Sequence, residues 1–227
     1  MPSFWSKISN EKYTVGCTGQ TVYVYDVSGN ELARFKDIKY AYKPIFCPGQ
    51  NMLVVKSTDG RLAIYCLDTM LLIKKFRFSK VDSSQDDGFC FSKDGKYFYN
   101  IERHITSCRT CLSVYETSGF TRVKQLFLSE SSLVLAHIEY DNAQDRFLVL
   151  GFMRDDTGIY NYGFVAVLEG DDIKSITRLT DERYDYIHGY KDLEIVGFTP
   201  EAKKWSSLFY KGYDLEKLEY IALSNLI

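Results

Sequence analysis

The chain is dominated by one recurring unit: four short strand-like segments separated by turns rich in Gly, Asp, Asn and Ser. The unit is clearest from Gly88 to Ser129. There, Gly88-Phe89-Cys90-Phe91 leads through Ser92-Lys93-Asp94-Gly95 into Lys96-Tyr97-Phe98-Tyr99-Asn100-Ile101. A longer loop, Glu102 to Arg109, precedes Cys111-Leu112-Ser113-Val114-Tyr115, and Glu116-Thr117-Ser118-Gly119 turns the chain into Val123 to Leu128. Gly supplies the positive φ such turns require, and Asp and Ser hydrogen-bond the local backbone.

Five copies follow one another, at about 3–37, 41–79, 87–129, 132–180 and 183–224. The first places Tyr13 to Cys17, Val22 to Asp26 and Leu32 to Phe35 in register with the central copy. The second uses Lys43 to Cys47, Met52 to Lys56, Leu62 to Cys66 and Leu71 to Phe78, with Pro44 near a strand start, where a missing N–H is tolerated. The fourth uses Leu133 to Ile138, Arg146 to Gly151, Phe164 to Leu168 and Ile173 to Leu179. In the fifth the four segments are Tyr184 to Ile187, Leu193 to Gly197, Trp205 to Tyr210 and Leu218 to Leu223.

Short alternating segments at even spacing, without a sustained 3.6-residue period, specify an all-β fold. A four-stranded repeat of roughly 40–50 residues has the size of a propeller blade. The expected architecture is a five-bladed β-propeller of four-stranded antiparallel blades, formed by residues 1–227 as a single domain; the competing arrangement is a β-sandwich. Phe91-Ser92-Lys93-Asp94-Gly95-Lys96-Tyr97-Phe98 resembles the strand–turn–strand of WD40-like and related bacterial propellers. Val24-Tyr25-Asp26 and Val114-Tyr115-Glu116, each followed by Ser-Gly, resemble the end of that family's third strand. The Gly-His and Trp-Asp pairs of true WD40 repeats are absent, so the resemblance implies the fold and not that family's hydrogen-bond network.

Lys and Arg number 28 against 30 Asp and Glu, a net charge of −2 that lacks the basic footprint of nucleic-acid binders. No apolar run has the length of a membrane span, and the N-terminus lacks an apolar signal core, so neither membrane nor secretion is expected. Of the six cysteines, Cys17, Cys47, Cys66 and Cys90 lie in apolar strand patterns, as reduced core thiols do. A cytoplasmic protein is the reading that fits. Cys108 and Cys111 should be the accessible thiols.

His104, Cys108 and Cys111 form a His-x3-Cys-x2-Cys pattern that offers three zinc ligands, but no local fourth; no metal or other cofactor is expected. With three His and no Gly-x-Ser-x-Gly, phosphate-binding loop or His-Glu-x-x-His, the common catalytic markers are missing. Asp86-Asp87, Asp155-Asp156 and Asp181-Glu182 are carboxylate pairs of the kind glycoside hydrolases use, and also ordinary turn residues.

In a four-stranded meander, the loops joining strands two and three share one end with the connections to the next unit. The longest loops, 102–109, 152–162, 79–87 and 180–183, all belong to that end. That end carries Arg103, His104, Arg154, Asp155, Asp156, Tyr160, Tyr162, Asp181, Arg183 and Tyr184. Tyr and Arg are enriched at interaction hot spots, and loops on rigid scaffolds carry function. The expectation is a non-catalytic propeller binding a protein or peptide through this end; a glycan or small ligand is the second reading and a hydrolase the third.

Overall fold

The structure is a computed structural model. It describes residues 2–77, 88–103, 110–127, 132–141, 144–154, 160–169, 172–178, 186–190, 194–198 and 218–222. The described chain is all-β. Its first sheet contains β1 (Ser6–Ser9), β2 (Tyr13–Cys17), β3 (Val22–Asp26) and β4 (Glu31–Phe35). The second contains β5 (Ala41–Phe46), β6 (Met52–Ser57), β7 (Arg61–Cys66) and β8 (Leu71–Arg77). The third contains β9 (Phe89–Phe91), β10 (Tyr97–Arg103), β11 (Thr110–Glu116) and β12 (Thr121–Phe127). The fourth contains β13 (Leu133–Asp141), β14 (Arg146–Arg154), β15 (Tyr160–Glu169) and β16 (Asp172–Arg178). Each is a four-stranded antiparallel meander whose spatial order follows the sequence.

The fifth sheet has three strands among the described residues: β17 (Tyr186–Tyr190), β18 (Glu194–Phe198) and β19 (Leu218–Ala222). Here the structure departs from the repeat. β18 pairs directly with β19, from Glu194↔Ala222 to Phe198↔Leu218, so the segment expected as a fourth strand holds the third place. Trp205 to Tyr210 lies outside the described residues. Alternation identifies residues that form a strand, but not the neighbour with which they pair. Gly189 and Tyr190, expected in a turn, complete β17 instead.

The chain divides into two compact units, Met1–Cys108 with Ser113–Lys124, and Arg109–Leu112 with Gln125–Ile227. In the first unit, the two central strands of the second sheet, β6 and β7, are buried on both faces. Leu53, Val55, Ala63 and Tyr65 pack with Val15, Cys17, Val22, Val24 and Phe35 of the first sheet. Their alternating neighbours Met52, Val54, Leu62 and Ile64 pack with Phe89, Phe91, Phe98 and Tyr115 of the third. Period-two alternation sends successive side chains to opposite faces, and both faces here are apolar. Each Val, Leu, Ile, Met or Phe side chain among them contributes about 1.5–3 kcal/mol by leaving water.

The turns repeat as faithfully as the strands. Met70 and Phe120, the last residues before β8 and β12, both adopt left-handed backbone, with φ of 54° and 46°. Phe120 is buried in the second core, and Met70 packs against the first. Gly95, with φ of 68°, is pinned differently. Its carbonyl accepts the Gln50 amide at 3.3 Å and the Thr117 hydroxyl at 2.7 Å. A Cβ there would lie 2.3 Å from the Pro48 carbonyl oxygen. Pro44 lies in β5 opposite Val55, and β5 is an edge strand, where the missing N–H donor is tolerated.

Candidate functional site

In the second unit, β14 and β15 are nine and ten residues long, against six each for β6 and β7 in the second sheet. The additional three or four residues extend this hairpin by about 10–13 Å at ~3.3 Å per residue. The extension occurs where the second and third strands of the sheet are joined. β13 reaches Met153 through the pair Leu133↔Met153, and β16 reaches Phe164 through Phe164↔Arg178. Beyond the level of β16 the hairpin continues with Phe152↔Gly163, Met153↔Tyr162 and Arg154↔Tyr160, and of these only Arg154↔Tyr160 lies beyond β13 as well. A register shift between Met153 and Arg154 leaves Asn161 as the additional residue of a bulge. Bulges increase local twist and often re-aim a ribbon end.

This corrects the expected 152–162 loop. Phe152, Met153, Arg154, Tyr160 and Tyr162 are strand residues, and the connection between the strands is 155–159. The reason is local: Tyr160, Tyr162 and Phe164 alternate, and aromatic residues suit a pleated surface better than an irregular loop. Arg103 is likewise the last residue of β10 and not part of a loop. Of the other expected site residues, His104, Asp155, Asp156, Asp181, Arg183 and Tyr184 lie outside the described residues. The structure therefore brings Arg154, Tyr160 and Tyr162 together on one hairpin tip, by backbone register.

The corresponding end of the second and third sheets, in the first unit, holds a polar cluster that the sequence reading missed. Lys56, only 5% exposed, ends the apolar run of β6. Its ammonium donates to Asn100 Oδ1 at 2.9 Å and to the Ile101 carbonyl at 3.0 Å. Asn100 Nδ2 donates to Glu102 Oε1 at 3.2 Å, and the Tyr115 hydroxyl donates to the same oxygen at 2.7 Å. Lys43, the cross-strand partner of Lys56, and Lys56 itself each stand 5.7 Å from the Phe89 ring centroid. The cluster fixes a cation, an amide and a carboxylate under the strand-two-to-three end. A lysine closing Met52-Leu53-Val54-Val55 was its one sequence signal.

In the second unit, buried His137 follows a bulge after Leu135, and its Nε2 lies 2.6 Å from Glu139 Oε1. The two residues are two apart on β13 and so share a face. Asp141 accepts from Arg146 Nε at 3.3 Å. Among the described residues, no group of three or more His, Cys, Asp or Glu side chains is arranged to hold a metal ion. Of the His-x3-Cys-x2-Cys pattern only Cys111 is described; it is buried in β11 and accepts from Gln125 Nε2 at 3.2 Å.

The thiols also differ from expectation. Cys17, Cys47 and Cys90 are buried, as expected, but so is Cys111, whereas Cys66 is partly exposed. Burial raises the Cys17 and Cys47 pKa to about 12. Hydrogen bonds from the Thr69 side chain and from the Thr69 and Asp68 backbone lower that of Cys66. Cys66 does lie in a strand, as its apolar pattern predicts. Its location at the strand's last residue, where the chain enters a turn, controls exposure.

No family model and no curated protein matches the sequence. Solved structures do. One is Kuenenia stuttgartiensis hydrazine synthase, at 12% identity and a TM-score of 0.61, covering 91% of this chain and 66% of that one. Another is the dihydro-heme d1 dehydrogenase NirN in complex with DHE, at 14% identity and a TM-score of 0.60, covering 100% of this chain and 45% of that one. This chain spans less than two thirds of the length of either. At these identities the likeness is one of fold: the described residues are all-β, with four four-stranded antiparallel sheets, and propeller-like.

Proposed function

We propose that the five sheets are the blades of one WD40-like propeller, which acts in the cytoplasm as a non-catalytic module binding a protein or peptide. Binding takes place at the end where the second and third strands of each sheet are joined. The observation that carries this reading is the extended β14–β15 hairpin, whose tip brings Arg154 opposite Tyr160 and Met153 opposite Tyr162. Tyr orders at little side-chain entropy cost on binding, and Tyr and Arg are both enriched among the residues that dominate interaction energetics. Cys17, Cys47 and Cys66 are thiols rather than disulfides, which is consistent with a reducing compartment.

The test is a pull-down from native cell extract with the full chain and with a variant whose 155–159 connection is replaced by a two-residue Asn-Gly turn. A partner retained by the full chain and lost by the shortened variant supports the reading. A partner retained equally by both contradicts it.

A further inference from the structure

A second surface, on the outer edge of the second sheet, has its own chemistry. β8 is the last strand of that sheet. Leu71, Leu72 and Ile73 begin it, and they are 64%, 38% and 53% exposed. Three consecutive exposed aliphatic residues on an edge strand present both unpaired backbone and apolar surface, a combination that soluble proteins normally suppress. A register shift between Ile64 and Tyr65 makes Ile73 the bulged residue. The rest of the strand, Lys74-Lys75-Phe76-Arg77, carries three cations and no acid. β4, the outer strand of the first sheet, instead neutralises itself through the Arg34–Glu31 ion pair.

The two lysines are held in place without being neutralised. Lys74 Nζ donates to the Gly119 and Phe120 carbonyls at 2.8 and 3.2 Å, and Lys75 Nζ donates to the Asp37 carbonyl at 3.2 Å. These acceptors are neutral backbone groups, so the positive charge stays fixed along the edge. We infer that β8 is a docking strand for an extended segment of a partner protein that adds to the sheet antiparallel to it. That segment reads acidic residues first and aliphatic residues second. Antiparallel addition sets its acids against Lys74, Lys75 and Arg77 and its aliphatic residues against Leu71 to Ile73. A second copy of this chain fits poorly: antiparallel self-pairing about the strand's midpoint sets Lys74 against Lys74, and like charges directly opposite repel. This surface shares no residue with the β14–β15 tip.

The experiment uses a fluorescent ten-residue peptide with three glutamates followed by Val-Ile-Val, and a second peptide with those two blocks exchanged. Saturable binding of the first to the full chain, at least tenfold tighter than the second, weakened by added salt and lost in a Leu71→Glu/Ile73→Glu variant, supports the proposal. Both substitutions are on exposed residues, and the variant's thermal melt checks its fold. Hydrogen exchange should slow at β8 amides when the first peptide is bound. No saturable binding, equal affinity for the two peptides, retention by the folded variant, or protection away from β8 overturns it. So does concentration-dependent dimerisation of the free protein that the same variant abolishes.

Discussion

Phe35 on β4 and Tyr65 on β7 stack with ring centroids 4.0 Å apart and planes 8° from parallel. One sheet further along, Phe76 on β8 meets Tyr115 on β11 at 5.9 Å and 43°. The fourth strand of one sheet thus supplies a Phe to the third-strand Tyr of the next. The Tyr65 hydroxyl is buried beside Asp37 without reaching good hydrogen-bond geometry, and burial, followed by the Asp37 charge and its side chain's polar contact, raises its pKa. Truncating Phe35 to Ala should cost about 3–5 kcal/mol, through lost burial and a cavity. Tyr65→Phe should stay within about 1 kcal/mol of the parent, because an unpartnered buried hydroxyl contributes little. Urea unfolding of both variants separates packing from the polar group.

Gly95→Ala should destabilise the protein by more than about 1 kcal/mol, since a side chain is strained at its positive φ and collides with the Pro48 carbonyl. A chain of this size should then lose at least about 2–4 °C in Tm. Gly49→Ala is the comparison: its φ is also positive, at 67°, but its Cβ would meet nothing within 4 Å. It isolates backbone strain from collision.

Stability should decline in alkali. The folded-state pKa of Cys17 and of Cys47 is raised from 9.0 to about 12, so the unfolded chain loses these protons first. Their contribution is complete below pH 9 and is lost as pH rises toward 12. In that window each thiol removes about 1.4 kcal/mol per pH unit. Urea midpoints at pH 8 and pH 10 measure the loss, and Cys17→Ala should reduce the slope.

Labelling with a thiol reagent should single out one described cysteine. Cys66 is partly exposed and has a lowered pKa, and it should react first; Cys17, Cys47, Cys90 and Cys111 are buried and should wait for unfolding. Mass spectrometry of peptides after brief native labelling reads the order directly.

The strands of the first three sheets were legible because their apolar residues alternate at period two between turns carrying Gly or Asp. Val15, Val22, Val24, Leu53, Val55 and Ala63 needed no tertiary information to be placed in a core. Three features were not legible. The β18–β19 pairing depends on which edge a strand meets, and alternation is silent on that. The length of the β14–β15 hairpin is hidden because the loop-like composition of Arg154-Asp155-Asp156-Thr157-Gly158 runs directly into the alternating Tyr160, Tyr162 and Phe164. The Lys56–Asn100–Glu102–Tyr115 cluster spans three strands on two sheets, and each member alone looks like a polar residue near a strand end.

The most direct test of the binding account is the affinity of the partner recovered by the full chain for Arg154→Ala, Tyr160→Ala and Tyr162→Ala, with Lys93→Ala and Asp172→Ala as controls. Lys93, in the first-to-second strand connection of its sheet, and Asp172, the first residue of β16 and not part of a turn, occupy the ends of their sheets opposite the strand-two-to-three junction. Thermal melts confirm that each variant is folded. The account predicts a loss of about 1 kcal/mol or more, roughly fivefold in Kd, for at least one of the three tip substitutions, and no change for the controls. Weakening by Lys93→Ala or Asp172→Ala, with all three tip variants at parental affinity, would contradict it.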